Sequence, residues 1–130
     1  MEHVRVEQRD GVALVTLVDR ERRNAMTAAM VAEIVETFDA LEANEAVGAV
    51  VITSEPPAFC SGADVAALGA LSDERSEGGR RSITSIYDGF LRVLRSPLPT
   101  VAAVNGPAVG AGMNLALACH VRVAGGPSHL

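Results

Sequence analysis

A chain of 130 residues, 48% of them hydrophobic, is long enough to build one domain around a real core. Its formal charge of −5 excludes a general electrostatic grip on nucleic acid, and apolar runs such as Val47 to Ile52 fall far short of the ~20 residues that cross a bilayer. Met1 leads into Glu2, His3 and an alternating segment rather than the basic and apolar regions of a secretory leader, so a cytoplasmic location is expected.

Val4 and Val6 alternate with polar neighbours up to Arg9, and a β-rich run from Val12 to Val18 follows Asp10-Gly11, which predicts a hairpin. Met30, Ile34, Phe38 and Leu41 recur at spacings of four and three, the stripe of a helix from about Thr27 to Ala43 packed on the strands. Ala49 to Thr53 is apolar on both faces, as in a strand covered from both sides. Leu71 to Ser82 is polar, contains Gly78-Gly79 and reads as a mobile surface loop, with Asp73, Glu74 and Glu77 in solvent. Ile83, Ile86, Tyr87, Phe90, Leu91 and Leu94 form a second helical stripe, stopped by Pro97 and Pro99. Val101 to Val104 is then a short buried strand, Gly106 to Gly112 a glycine-punctuated loop, Met113 to Cys119 a small-residue helix and Val121 to Ala124 a last strand. This alternation predicts an α/β fold with mostly parallel pairing.

Two of the loops each follow a buried strand and lead into a helix: Ala58-Phe59-Cys60-Ser61-Gly62-Ala63-Asp64 and Asn105-Gly106-Pro107-Ala108-Val109-Gly110-Ala111-Gly112-Met113-Asn114. Helix N-termini leave unpaired N–H groups and a partial positive charge, so both loops can present donors to a developing oxyanion. Glycines there can equally serve only backbone geometry or close packing. The second loop lacks the GxGxxG spacing of a dinucleotide site. All eleven basic side chains are arginine, so a bound phosphate would meet guanidinium forks or backbone N–H groups. Cys60 and Cys119 lack metal-ligand or disulfide spacing and read as small buried hydrophobes; no metal is expected.

These two loops, in this order, resemble the AFxxGAD and NGxAxGxG loops of the crotonase superfamily, the enoyl-CoA hydratase/isomerase family. The hairpin, Asn24-Ala25-Met26 and the Ala118-Cys119 helix end extend the resemblance over nearly the whole chain. It implies the ClpP/crotonase spiral of strand-strand-helix units, with residues 1–130 forming a single N-terminal core truncated before the C-terminal helices. It also implies an acyl-CoA thioester as ligand, with coenzyme A entering as part of the substrate and no separate cofactor. Carried over residue by residue, the oxyanion donors are the backbone N–H groups of Ala63 and Ala111, with Gly62, Asp64 and Gly110 against the substrate.

The match departs from the family at the catalytic acids. Hydratases use two glutamates, because adding water across a conjugated double bond takes a general base and a general acid. Asn114 stands at the first position and cannot exchange a proton at neutral pH, though it can hold a water or a substrate oxygen; the second would lie beyond Leu130. Asp64 could face the pocket or act as a helix cap, and His120, where relatives often carry Asp, reads as a surface or core residue. His3 and His129 lie near termini where order is usually poor. The expected activity is that of an enoyl-CoA hydratase-like lyase or isomerase of fatty-acid or related acyl-CoA metabolism, in a homo-oligomer. The alternatives are another crotonase reaction, such as decarboxylation or thioester hydrolysis, and a non-catalytic half-subunit that needs a separate C-terminal polypeptide.

Overall fold

The computed structural model describes residues 1–62 and 87–126. Strands β1 (Val4–Arg9) and β2 (Val12–Leu17) form the expected antiparallel hairpin, in register from Val4 opposite Leu17 to Arg9 opposite Val12. A two-residue turn of this kind needs consecutive positive φ angles, which Asp10 (50°) and Gly11 (80°) adopt. Helix α1 (Ala28–Glu42) starts where Thr27 caps it, its hydroxyl accepting the Met30 N–H at 3.0 Å. Met30, Ile34, Phe38 and Leu41 are all buried, as their spacing predicts.

Strands β3 (Ala49–Ser54), β4 (Thr100–Val104) and β5 (Val121–Ala124) extend the sheet in parallel from β2, in the order β1-β2-β3-β4-β5. Helix α2 is described over residues 87–95, and α3 spans Ala111–Ala118. Arg92 of α2 grips α1: its guanidinium donates to Asp39 Oδ1 at 2.9 Å and to both carboxylate oxygens of Glu42, and lies 5.9 Å from the centre of the Phe38 ring. The core sits on the sheet face that carries Val15, Leu17, Val50, Ile52 and Val104, with Leu115 and Ala116 of α3 in the same cluster.

Three expectations change. Among the described residues β3 is covered unequally on its two faces: Val50, Ile52 and Ser54 are buried while Ala49, Val51 and Thr53 stay partly exposed, with the core on the first side. The other side carries Leu14, Val51, Val101 and Val121 as one row in register across four strands. The last helix begins at Ala111 rather than Met113, since Gly110 takes the N-cap position at φ 55° and its carbonyl accepts the Asn114 N–H at 3.0 Å. His3 is held rather than loose. Its N–H donates to Glu33 Oε1 at 2.9 Å and its carbonyl accepts the Val18 N–H at 2.9 Å, which ties the chain's start to α1 and to the hairpin. The segment Leu71 to Ser82 and residue His129 lie outside the described residues.

Candidate functional site

The two glycine loops run side by side at the C-terminal ends of β3 and β4. Phe59 N–H donates to Pro107 O at 3.0 Å, Val109 N–H donates to Cys60 O at 3.2 Å, and Cys60 pairs with Ala108 in an isolated parallel bridge. Such backbone pairing turns two loops into one rigid platform.

Glycine is required where the platform meets α3. A β-carbon on Gly112 would lie 2.1 Å from Cys60 O, so any side chain would push the helix start off the first loop. Gly62 has φ 106°, and a β-carbon there would stand 2.8 Å from Val109 O and 3.9 Å from the Ala111 nitrogen. The first loop therefore passes directly over the first turn of α3.

Ala111 is the first residue of that helix, one of the positions whose N–H has no intrahelical acceptor. Among the described residues its N–H has no acceptor at all. Asn114 lies one turn along, on the same helix face, partly exposed and with no side-chain hydrogen bond among the described residues. Gly110 faces open space: nothing lies within 4 Å of where its β-carbon would be. Gly62, Gly110, Ala111 and Asn114 are thus brought together. Ala63 and Asp64, with Asp73, Glu74 and Glu77, lie outside the described residues.

Among the described residues, the two buried cysteines offer no ready nucleophile. Burial pushes the Cys60 thiol up to about 11, against a weaker opposing backbone hydrogen bond from Gly62. Cys119 is likewise raised to about 11 by burial. His120 is exposed, and its Nδ1 accepts the Thr100 N–H at 3.2 Å where β4 begins, as the surface reading of that residue expected.

Beside the platform runs a third segment whose role sequence reasoning did not assign. Residues 22–26 lie along the first loop: Ser61 N–H donates to Arg23 O at 3.1 Å, and Met26 N–H donates to Gly62 O at 2.7 Å. The available signal was Asn24, a residue type that tolerates left-handed backbone, standing just before a helix; its φ is 58°.

The sequence profile of the enoyl-CoA hydratase/isomerase family matches residues 7–129. The chain belongs to the enoyl-CoA hydratase/isomerase family. It is 49% identical over 114 residues to the probable enoyl-CoA hydratase EchA14 of Mycobacterium tuberculosis H37Rv, covering 88% of this chain and 43% of that protein. It is 36% identical over 124 residues to 4-chlorobenzoyl coenzyme A dehalogenase-2 of an Arthrobacter species, covering 93% and 44%. Its fold matches that of an enoyl-CoA hydratase/carnitine racemase from Magnetospirillum magneticum with a TM-score of 0.89 at 26% identity, over 98% of this chain and 48% of the other. A Thermobifida fusca relative solved in complex with acetoacetyl-CoA matches with a TM-score of 0.81 at 33% identity, over 98% and 52%. This enoyl-CoA hydratase/isomerase family chain spans about half the length of the relatives it matches, as their N-terminal part. Among its described residues no helix is long and apolar enough to cross a membrane, and no cluster of His, Cys, Asp or Glu could hold a metal ion.

Proposed function

We propose that the chain binds an acyl-CoA thioester and polarises its carbonyl oxygen with the backbone N–H groups of Ala63 and Ala111. The observation that carries this reading is the Ala111 N–H, unaccepted at the positive end of α3 and next to Gly62, the residue bonded to the proposed second donor. Donors fixed before the reaction stabilise the oxyanion or enolate without reorganising, which makes this the largest catalytic contribution available here. Gly62 and Gly110 leave room for the thioester, Asp64 borders it, and Asn114 holds a polar group of the substrate or a water. Coenzyme A arrives as part of the substrate.

The reaction is read more broadly than hydration. The relatives' names span enoyl-CoA hydration and 4-chlorobenzoyl-CoA dehalogenation, and what these share is a CoA thioester. With Asn114 at the first acid position, reactions that rest on enolate or oxyanion stabilisation fit this site better than those needing two glutamates.

A second reading is favoured by the surface beyond β4. Met113 and Leu117 on α3 and Val121 and Val123 on β5 are exposed, the last two by more than half (52% and 58%). In that reading residues 1–130 are one incomplete domain, a half-subunit completed by a C-terminal polypeptide or by another copy.

Replacing Ala111 tests the first reading. Proline is favoured at the first helical position, so Ala111→Pro removes the donor and keeps the helix, while Ala111→Gly keeps the donor. The expected result is loss of thioester polarisation in the proline variant alone; equal loss in both would reduce Ala111 to a packing role.

A further inference from the structure

Asn24 is a fully buried polar side chain, and three of the four hydrogen bonds its amide can make are in place. Its Oδ1 accepts the Asp19 N–H at 2.8 Å, and its Nδ2 donates to Glu55 O at 3.0 Å and to Ala58 O at 2.9 Å. Its own N–H closes the 19–24 turn by donating to Asp19 O at 2.8 Å. One amide thus ties the segment before α1 to the turn that follows β3.

Two residues later that segment reaches the site, where the Met26 N–H holds Gly62 O at 2.7 Å. In a planar trans peptide the carbonyl and the following N–H point to opposite edges. Holding the Gly62 oxygen therefore fixes one edge of the peptide that joins Gly62 to the proposed donor residue. The second loop is referenced to the same turn, because Asn105 Nδ2 donates to Ser54 O. The side-chain amides of Asn24 and Asn105 thus both donate to carbonyls within residues 54–58.

We infer that Asn24 is a positioning residue: it sets the direction of the first-loop donor and its spacing from Ala111 without touching the substrate. The inference rests on the proposed oxyanion reading and adds to it the residue on which the donor geometry depends. It predicts a split. Losing the Asn24 amide changes how strongly a bound thioester carbonyl is polarised, while affinity for the coenzyme A portion is untouched, because a small misplacement of a donor weakens transition-state contacts before it weakens ground-state binding.

The test titrates the 130-residue chain with coenzyme A and with a conjugated dienoyl-CoA, whose absorbance moves to longer wavelength when its carbonyl is polarised. Asn24→Asp keeps the size and the left-handed tolerance but turns two donors into acceptors facing carbonyls; Asn24→Gly keeps the backbone conformation and deletes the amide. Both variants should bind coenzyme A as the wild type does and lose most of the red shift. An equal red shift in wild type and both variants would overturn the inference, as would loss of coenzyme A binding in parallel with the shift. A wild type that binds the dienoyl-CoA with no red shift would instead sink the oxyanion reading itself. Hydrogen exchange of the wild-type Asn24 side-chain amide decides the matter if neither variant folds: strong protection, retained with ligand bound, supports the tether, and free exchange removes it.

Discussion

In the proposed site Asn114 is an amide at the position where the family resemblance implies a carboxyl group for hydration. The 130-residue chain should therefore hydrate a short enoyl-CoA poorly or not at all, and Asn114→Glu should raise the rate if a substrate sits against α3. Robust hydration that survives Asn114→Ala, measured by loss of enoyl absorbance, would move the proton chemistry elsewhere, with Asp64 the first residue to replace. The two thiols give a separate check. With Cys60 and Cys119 both raised to about 11 by burial, neither should react with a thiol reagent at neutral pH until the chain is denatured. Gly112→Ala should destabilise the fold by about 3 kcal/mol, since its new methyl group meets backbone that cannot turn away. The glycine pattern and the buried cysteines were legible in the sequence, because residue type alone carries them. Asn24 was legible only as part of a motif: the three acceptors and donors that give it meaning come from positions 19, 55 and 58, and no periodicity announces such long-range pairing.

Between elements, the contact most open to measurement is the Arg92 clamp of α2 on α1. The Arg92 hydrogen bond holds the Glu42 carboxyl below its ordinary value, against an opposing effect of burial. The folded state therefore takes up this proton less readily than the unfolded chain. The clamp's contribution is complete above the unfolded carboxyl's range and is lost as pH falls through the depressed folded value. Glu42→Gln should lower stability near neutrality by about 1 kcal/mol and flatten that part of the acid unfolding curve. An unchanged pH dependence would mean that the pair contributes nothing. Most element boundaries could be read from the sequence, because hydrophobic spacing and turn residues agree locally: Thr27 and Ala43 bracket α1, and Val121 to Ala124 is β5. Two features could not. The earlier start of α3 depends on Gly110 adopting a backbone angle that the sequence only permits, and the partly exposed face of β3 depends on what covers the sheet rather than on β3's own residues.

Among the described residues, the core lies on one side of the sheet, and the other side carries a second apolar row. The row Leu14, Val51, Val101 and Val121 meets Val123 at the outermost strand, with Met113 and Leu117 exposed on α3. Val121 and Val123 are exposed on β5, and an outermost strand offers unpaired backbone groups to another chain. The 130-residue chain should therefore self-associate, or become monodisperse when a polypeptide matching the other half of its relatives is supplied. Sedimentation of a cooperatively melting monomer at high concentration would contradict this. The parallel order of the strands was expected from their alternation with helices, whereas the unequal burial of the two faces is a property of the assembled sheet that no single segment encodes.

The most direct test of the central claim is the infrared carbonyl stretch of a ¹³C-labelled acyl-CoA thioester bound to the chain, compared with the same thioester in water. Two backbone donors aimed at one oxygen should lower the frequency clearly, and Ala111→Pro should return it most of the way while Ala111→Gly leaves it lowered. A bound thioester whose carbonyl vibrates as it does in water would contradict the account, since the platform of paired loops would then hold the ligand without acting on its reacting bond.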